Sequence, residues 1–306
     1  MPVFPLCDDD CEPVAIRIVH ASSGSSAQVN LFGATVTSWT VDGKNRLFVS
    51  SKAAFDHSKP IRGGIPVIFP QFNKGKLMPG KHGFARTEVW THDAAYDTDD
   101  AVSGTSATFV LRDNDRTRAS GWAPIPGGQD GYRFELRLTV AVKANELKVT
   151  MHVVNTDDRE FAFTSLLHPY IAAENIDDVK IHGLTGSTFI DTTIPVAAGE
   201  ESARAQETAP YLSFDREVDS VYYNTASTLT VECLSQDASR SKLTVTKSAG
   251  FPDTVTWNPW EKLARNLEDL GDDEYRKFFC LEPGHVQTPV KLQPGKEWDA
   301  TMTFSV

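Results

Sequence analysis

The chain of 306 residues carries 30 Lys and Arg against 41 Asp and Glu, a formal charge of −11, with 40% hydrophobic and 23% charged residues. That is the composition of a globular protein long enough to bury a sizeable core without staples. The acidic balance excludes broad nucleic-acid or anionic-membrane binding, and on its face it also opposes an anionic small substrate.

At the start of the chain, Asp8-Asp9-Asp10 interrupts any signal-peptide pattern. Four cysteines form no disulfide framework; Cys7 and Cys11 lie close enough for a metal half-site, but no second half-site follows, so no metal is expected. No Asn-x-Ser/Thr sequon occurs, in keeping with a cytoplasmic location. Strand-like alternation begins at 14–19 and 28–32.

The segment 59–90 is unusual. It contains Ile61-Arg62-Gly63-Gly64-Ile65-Pro66 and Lys81-His82-Gly83-Phe84-Ala85-Arg86. Glycines beside a cationic residue let backbone approach a ligand, and a guanidinium fork suits phosphate or carboxylate. Residues 57–90 hold six Lys and Arg against Glu88 alone, so an acidic chain gathers positive charge on one Gly/Pro-rich stretch. The pattern fits a small anion site; it also fits a loop with solvated charges.

Further strands are expected at 88–95 and 107–111, and the Gly- and Pro-rich stretch 121–131 reads as a long surface connection. Phe134, Leu136, Leu138, Val140 and Val142 alternate with polar residues, and Leu147, Val149, Met151 and Val153 repeat the pattern after Ala144-Asn145. Two such runs across a short turn predict an antiparallel hairpin with one face buried.

An apolar run then reaches Thr164-Ser165-Leu166-Leu167-His168-Pro169-Tyr170. An imidazole at a strand end can serve as general acid or base near neutral pH, or as a hydrogen-bonded core residue. Asp219 precedes Val221-Tyr222-Tyr223, and strands are expected at 228–233 and 243–246. After Trp257-Asn258-Pro259-Trp260, residues 261–267 suit a short helix. In Phe278-Phe279-Cys280-Leu281-Glu282-Pro283-Gly284 an apolar strand runs into a carboxylate followed by Pro-Gly turn chemistry. If buried, that Glu would have a raised pKa and suit a general base; if exposed, it is an ordinary turn residue. A last strand is expected at 301–306. Many short strands, little helix and no long linker predict one all-β domain over 1–306, a large sandwich or barrel, with 1–13 as an N-terminal extension. No nucleophile elbow, P-loop, dinucleotide fingerprint or His-Glu-x-x-His motif occurs.

Taken in order, Arg62-Gly63-Gly64-Ile65-Pro66, His82-Gly83-Phe84-Ala85-Arg86, His168-Pro169-Tyr170, Asp219-Ser220-Val221-Tyr222, Trp257-Asn258-Pro259-Trp260 and Cys280-Leu281-Glu282-Pro283-Gly284 resemble the glucose-6-phosphate 1-epimerases, the hexose-6-phosphate mutarotases of the aldose 1-epimerase superfamily. The resemblance spans about residues 15–305. It implies a galactose-mutarotase-like β-supersandwich of mainly antiparallel strands and anomer interconversion of hexose 6-phosphates without metal or organic cofactor. It further implies Glu282 as catalytic base, His168 as catalytic acid, and Arg62, Arg86 and Asp219 as substrate-binding residues. His82 matches a second histidine lining the site. Lys81 stands where the family usually has Gln, and a cation there adds to phosphate binding. The chain is read as a monomer with a hexose-phosphate partner and neither nucleic acid nor membrane. A mutarotase of unphosphorylated aldoses and a non-catalytic carbohydrate-binding sandwich are the alternative readings.

Overall fold

The computed structural model describes residues 2–100, 104–124, 130–196, 202–234 and 240–306. Its strands form three antiparallel sheets. The first takes Val3–Cys7, Pro13–Val19, Ser26–Asn30, Thr35–Val41 and Lys44–Asn45 in chain order, so the N-terminal residues form its edge strand. The second, of nine strands, centres on Glu297–Ser305, Glu146–Asn155 and Phe134–Val142. The third runs Ala205–Gln206, Thr188–Asp191, Val218–Tyr223, Asp253–Asn258, Phe278–Leu292, Phe161–Leu167 and Val67–Ile68, with Tyr170–Ala172 also paired to Phe278–Leu292.

The expected hairpin is present, with Val142 opposite Leu147 and Phe134 opposite Asn155. Its apolar face enters a core drawn from all three sheets, including Trp39, Leu138, Val149, Phe163, Phe279, Leu281 and Met302. Burying each such side chain contributes about 1.5–3 kcal/mol. Alternation along Phe278–Leu292 sends Phe279 and Leu281 into that core and leaves Cys280 and Glu282 on the opposite face.

Four local expectations are corrected. Between residues 88 and 95 only Thr91–His92 is strand, because the Asp93 carboxylate accepts from the Ala95 N–H and caps a 3-10 turn over Ala94–Tyr96. The stretch 121–131 is not wholly a surface connection: Trp122 is buried against Phe69, Phe134 and Phe161, while residues 125–129 lie outside the described residues. The helix covers only Trp260–Ala264, after which Asn266, Leu267 and Leu270 each donate to the carbonyl three residues back, tightening the chain into turns. Pro283-Gly284 makes no turn; the strand runs on to Leu292. A Cβ at Gly284 would lie 2.7 Å from the Leu166 Cβ, so this glycine admits a neighbouring strand.

Candidate active site

The third sheet builds the floor of the site by register. Leu166 pairs with Gly284 and Tyr170 with Cys280, and the ladder between them is interrupted. The same register places His168 across from Glu282 in that gap. There the His168 N–H donates to the Pro66 carbonyl and the Tyr170 N–H to the Gly64 carbonyl, so residues 64–66 run alongside. On the other side Glu282 pairs with Val255 and Val255 with Val221, while Cys280 pairs with Trp257 and Trp257 with Asp219. Cross-strand partners share a face, so two adjacent rows of side chains form one surface.

A cavity of about 380 Å³ lies over this surface. Its lining contains all seven residues singled out from the sequence: Arg62, Lys81, His82, Arg86, His168, Asp219 and Glu282. The His168 Nε2 is 3.4 Å from the Glu282 Oε1. Glu282 is 1% exposed, and among the described residues neither its oxygens nor the His168 Nδ1 has a hydrogen-bond partner. Burial pushes Glu282 well above the usual carboxylate range, with the Asp219 charge adding to it. Burial drives His168 well below the usual imidazole range, reinforced by Arg62 and Arg86. Asp219 is also pushed up by burial.

Residues 61–86 supply the cationic wall. The glycine expectation is corrected here. Cβ atoms at Gly63 and Gly64 would come within 2.4 Å of the Val49 Cα and 2.3 Å of the Val36 carbonyl oxygen, and both residues have positive φ. These glycines let the chain approach its own backbone rather than a ligand. Arg62 donates to the Tyr170 hydroxyl at 3.0 Å and pairs with Asp269 at 3.1 Å. Arg86 donates to the Lys81 carbonyl at 3.0 Å and, like Lys81, makes no ion pair among the described residues. Burial lowers the Arg86 pKa to about 10, so it stays charged at neutral pH. The Nε atoms of Arg62 and Arg86 are buried without hydrogen-bond partners among the described residues. His82 is held neutral by burial and by Arg86. Its Nδ1 accepts from the Asn73 N–H at 3.1 Å, which puts the proton of the neutral ring on Nε2 as a donor.

Asp269, Tyr170 as a side chain and Cys280 escaped sequence reasoning as site residues. Asp269 lies in the turns after a short helix, and no local signal ties it to Arg62. Tyr170 stacks on His168, ring centroids 4.9 Å apart, and Trp257 meets both rings edge-on at 6.0 Å. His168, Cys280 and Glu282 are the one group among the described residues that brings three metal-ligand-type atoms together, within 4.8 Å. Burial pushes the Cys280 thiol well above its ordinary range, so it is a neutral neighbour of the pair.

The architecture is that of the galactose-mutarotase-like proteins, with its polar cavity on one face of a large antiparallel supersandwich. A crystal structure of a Salmonella typhimurium protein described as a mutarotase superposes with a TM-score of 0.79 at 24% identity, covering 99% of this chain and 96% of that one. Galactose 1-epimerase from Lactobacillus acidophilus gives 0.68 at 15% identity, covering 99% and 97%. In sequence, the chain is 33% identical over 300 residues to a Cenchrus ciliaris protein assigned as a glucose-6-phosphate 1-epimerase, covering 94% of this chain and 83% of the relative. The aldose 1-epimerase family pattern matches residues 15–305. The chain belongs to the aldose 1-epimerase family, isomerases that interconvert the anomers of an aldose.

Proposed function

We propose that the cavity interconverts the α and β anomers of glucose 6-phosphate and related hexose 6-phosphates, with His168 and Glu282 as acid and base. The observation that carries this reading is the cross-strand pair at 3.4 Å beside two cations that lack ion-pair partners among the described residues. Anomerisation acts on two oxygens bonded to one carbon, so its acid and base must be neighbours. The Glu282 carboxylate takes the proton of the C1 hydroxyl. The His168 imidazolium gives its proton to the ring oxygen as the C1–O5 bond breaks and the C1 carbonyl forms. The C1–C2 bond rotates, and closure returns both protons.

The pair carries one proton throughout. In the cyclic form it is imidazolium and carboxylate; in the open form it is imidazole and carboxylic acid. Burial favours the uncharged arrangement, and in the charged one the two charges face each other at 3.4 Å, so neither direction starts from an isolated buried charge. In this reading His82 Nε2–H and Asp219 hold sugar hydroxyls. Arg86, Lys81 and Arg62 hold the phosphate, for which a guanidinium fork is well shaped. The hexose 6-phosphate named for the relatives agrees with this charge pattern.

The test is anomer exchange of glucose 6-phosphate and of glucose, with inorganic phosphate and sulfate as competitors. Glucose 6-phosphate should be the better substrate, both anions should compete with it, and its KM should rise with ionic strength while kcat holds. Equal use of free glucose with no inhibition by either anion would contradict the phosphate site and favour an unphosphorylated aldose.

A further inference from the structure

We propose that Tyr170 is a positioning residue that ties the anion-holding end of the cavity to the imidazole of His168. Its kinetic readout rests on the anomerisation reading above; its binding and spectroscopic readouts do not. The His168 Nδ1 is buried without a hydrogen-bond partner among the described residues, and Nε2 lies 3.4 Å from the Glu282 Oε1. In acid–base sites a carboxylate or carbonyl usually fixes the ring. Here aromatic surfaces take that place. Tyr170 lies two residues on, on the same face, and its ring stacks on His168 at 4.9 Å with planes 10° apart. Trp257 and His82 close the sides edge-on at 6.0 and 6.1 Å.

Tyr170 is 3% exposed, and its hydroxyl accepts from the Arg62 Nη1 at 3.0 Å. The other arm of the same guanidinium holds Asp269 at 3.1 Å. Arg62 therefore fixes one end of the tyrosine, and the ring of that tyrosine fixes the imidazole. Asp269 and Tyr170 hold that guanidinium in place for an anion, so the anion's engagement of Arg62 reaches the imidazole through a single rigid side chain.

Two substitutions separate the hydroxyl from the ring. Tyr170→Phe keeps the stack and removes the tether. It should raise KM for glucose 6-phosphate and weaken inorganic phosphate binding by calorimetry, each about 3- to 10-fold, the scale of one hydrogen bond. Its kcat should fall much less than that of Tyr170→Leu. Tyr170→Leu should show the same loss of phosphate affinity plus a fall in kcat of about tenfold or more, and should shift the His168 imidazole nitrogen resonances that Tyr170→Phe leaves in place. The proposal is overturned if Tyr170→Phe binds phosphate as wild type does, if it loses kcat as Tyr170→Leu does, or if Tyr170→Leu leaves the His168 resonances unmoved. Should wild type fail to exchange anomers, the anomerisation reading fails, and calorimetry and resonance positions still decide the role of Tyr170.

Discussion

Burial moves Glu282 and His168 in opposite directions, and that opposition lets one proton serve two groups. The pH dependence follows from counting that proton. At low pH a second proton occupies the pair and no base remains; at high pH the shared proton is lost and no acid remains. The kcat/KM profile should be bell-shaped, with limbs that belong to the pair rather than to either residue. Arg86 repels the imidazolium, so removing its charge makes the last proton harder to lose. In Arg86→Gln the alkaline limb should therefore move to higher pH, alongside a raised KM. An alkaline limb that stays in place would place the guanidinium away from the reacting pair.

At the scale of elements, the acid–base pair is a property of strand register. His168 and Glu282 face each other only because Phe161–Leu167 and Tyr170–Ala172 keep one register against Phe278–Leu292 across the gap between them. Gly284 sets that spacing through its contact with Leu166. Gly284→Ala should destabilise the protein by about 1–3 kcal/mol, read from urea melts, and lower kcat more than it changes KM. Much of this level was legible in the sequence. Period-two alternation marked the hairpin of Phe134–Val142 and Glu146–Asn155 because one face is buried and the other is not. Phe278–Leu292 was misread at its centre because both of its faces are covered around Glu282, and Pro-Gly signals a turn only when no neighbouring strand needs the space. The candidate site was legible as six ordered motifs. The Arg62–Asp269 pair and the Tyr170–His168 stack were not, since they depend on loops meeting in space and leave no periodic trace.

For the whole molecule, the charge of −11 is compatible with an anionic substrate because charges are felt over about 8 Å at physiological salt. The fold also redistributes the cationic stretch. Glu268, Asp269 and Asp272 come against Lys59, Arg62 and Lys52, so the segment that is most basic in sequence is partly neutralised in space. Lys81 and Arg86 are left facing the cavity without ion-pair partners among the described residues. The central claim is that this cavity opens and closes a sugar ring through Glu282 and His168. Its most direct test is exchange NMR between the two anomers of glucose 6-phosphate, with wild type and Glu282→Gln at equal concentration. The substitution replaces a buried carboxyl group that lacks hydrogen-bond partners among the described residues with an amide of the same shape, so the fold and Tm should hold. Wild type should exchange the anomers far faster than the spontaneous rate, and the variant should be slower by about 10²- to 10⁴-fold. A folded Glu282→Gln protein that exchanges them at close to the wild-type rate would contradict the account.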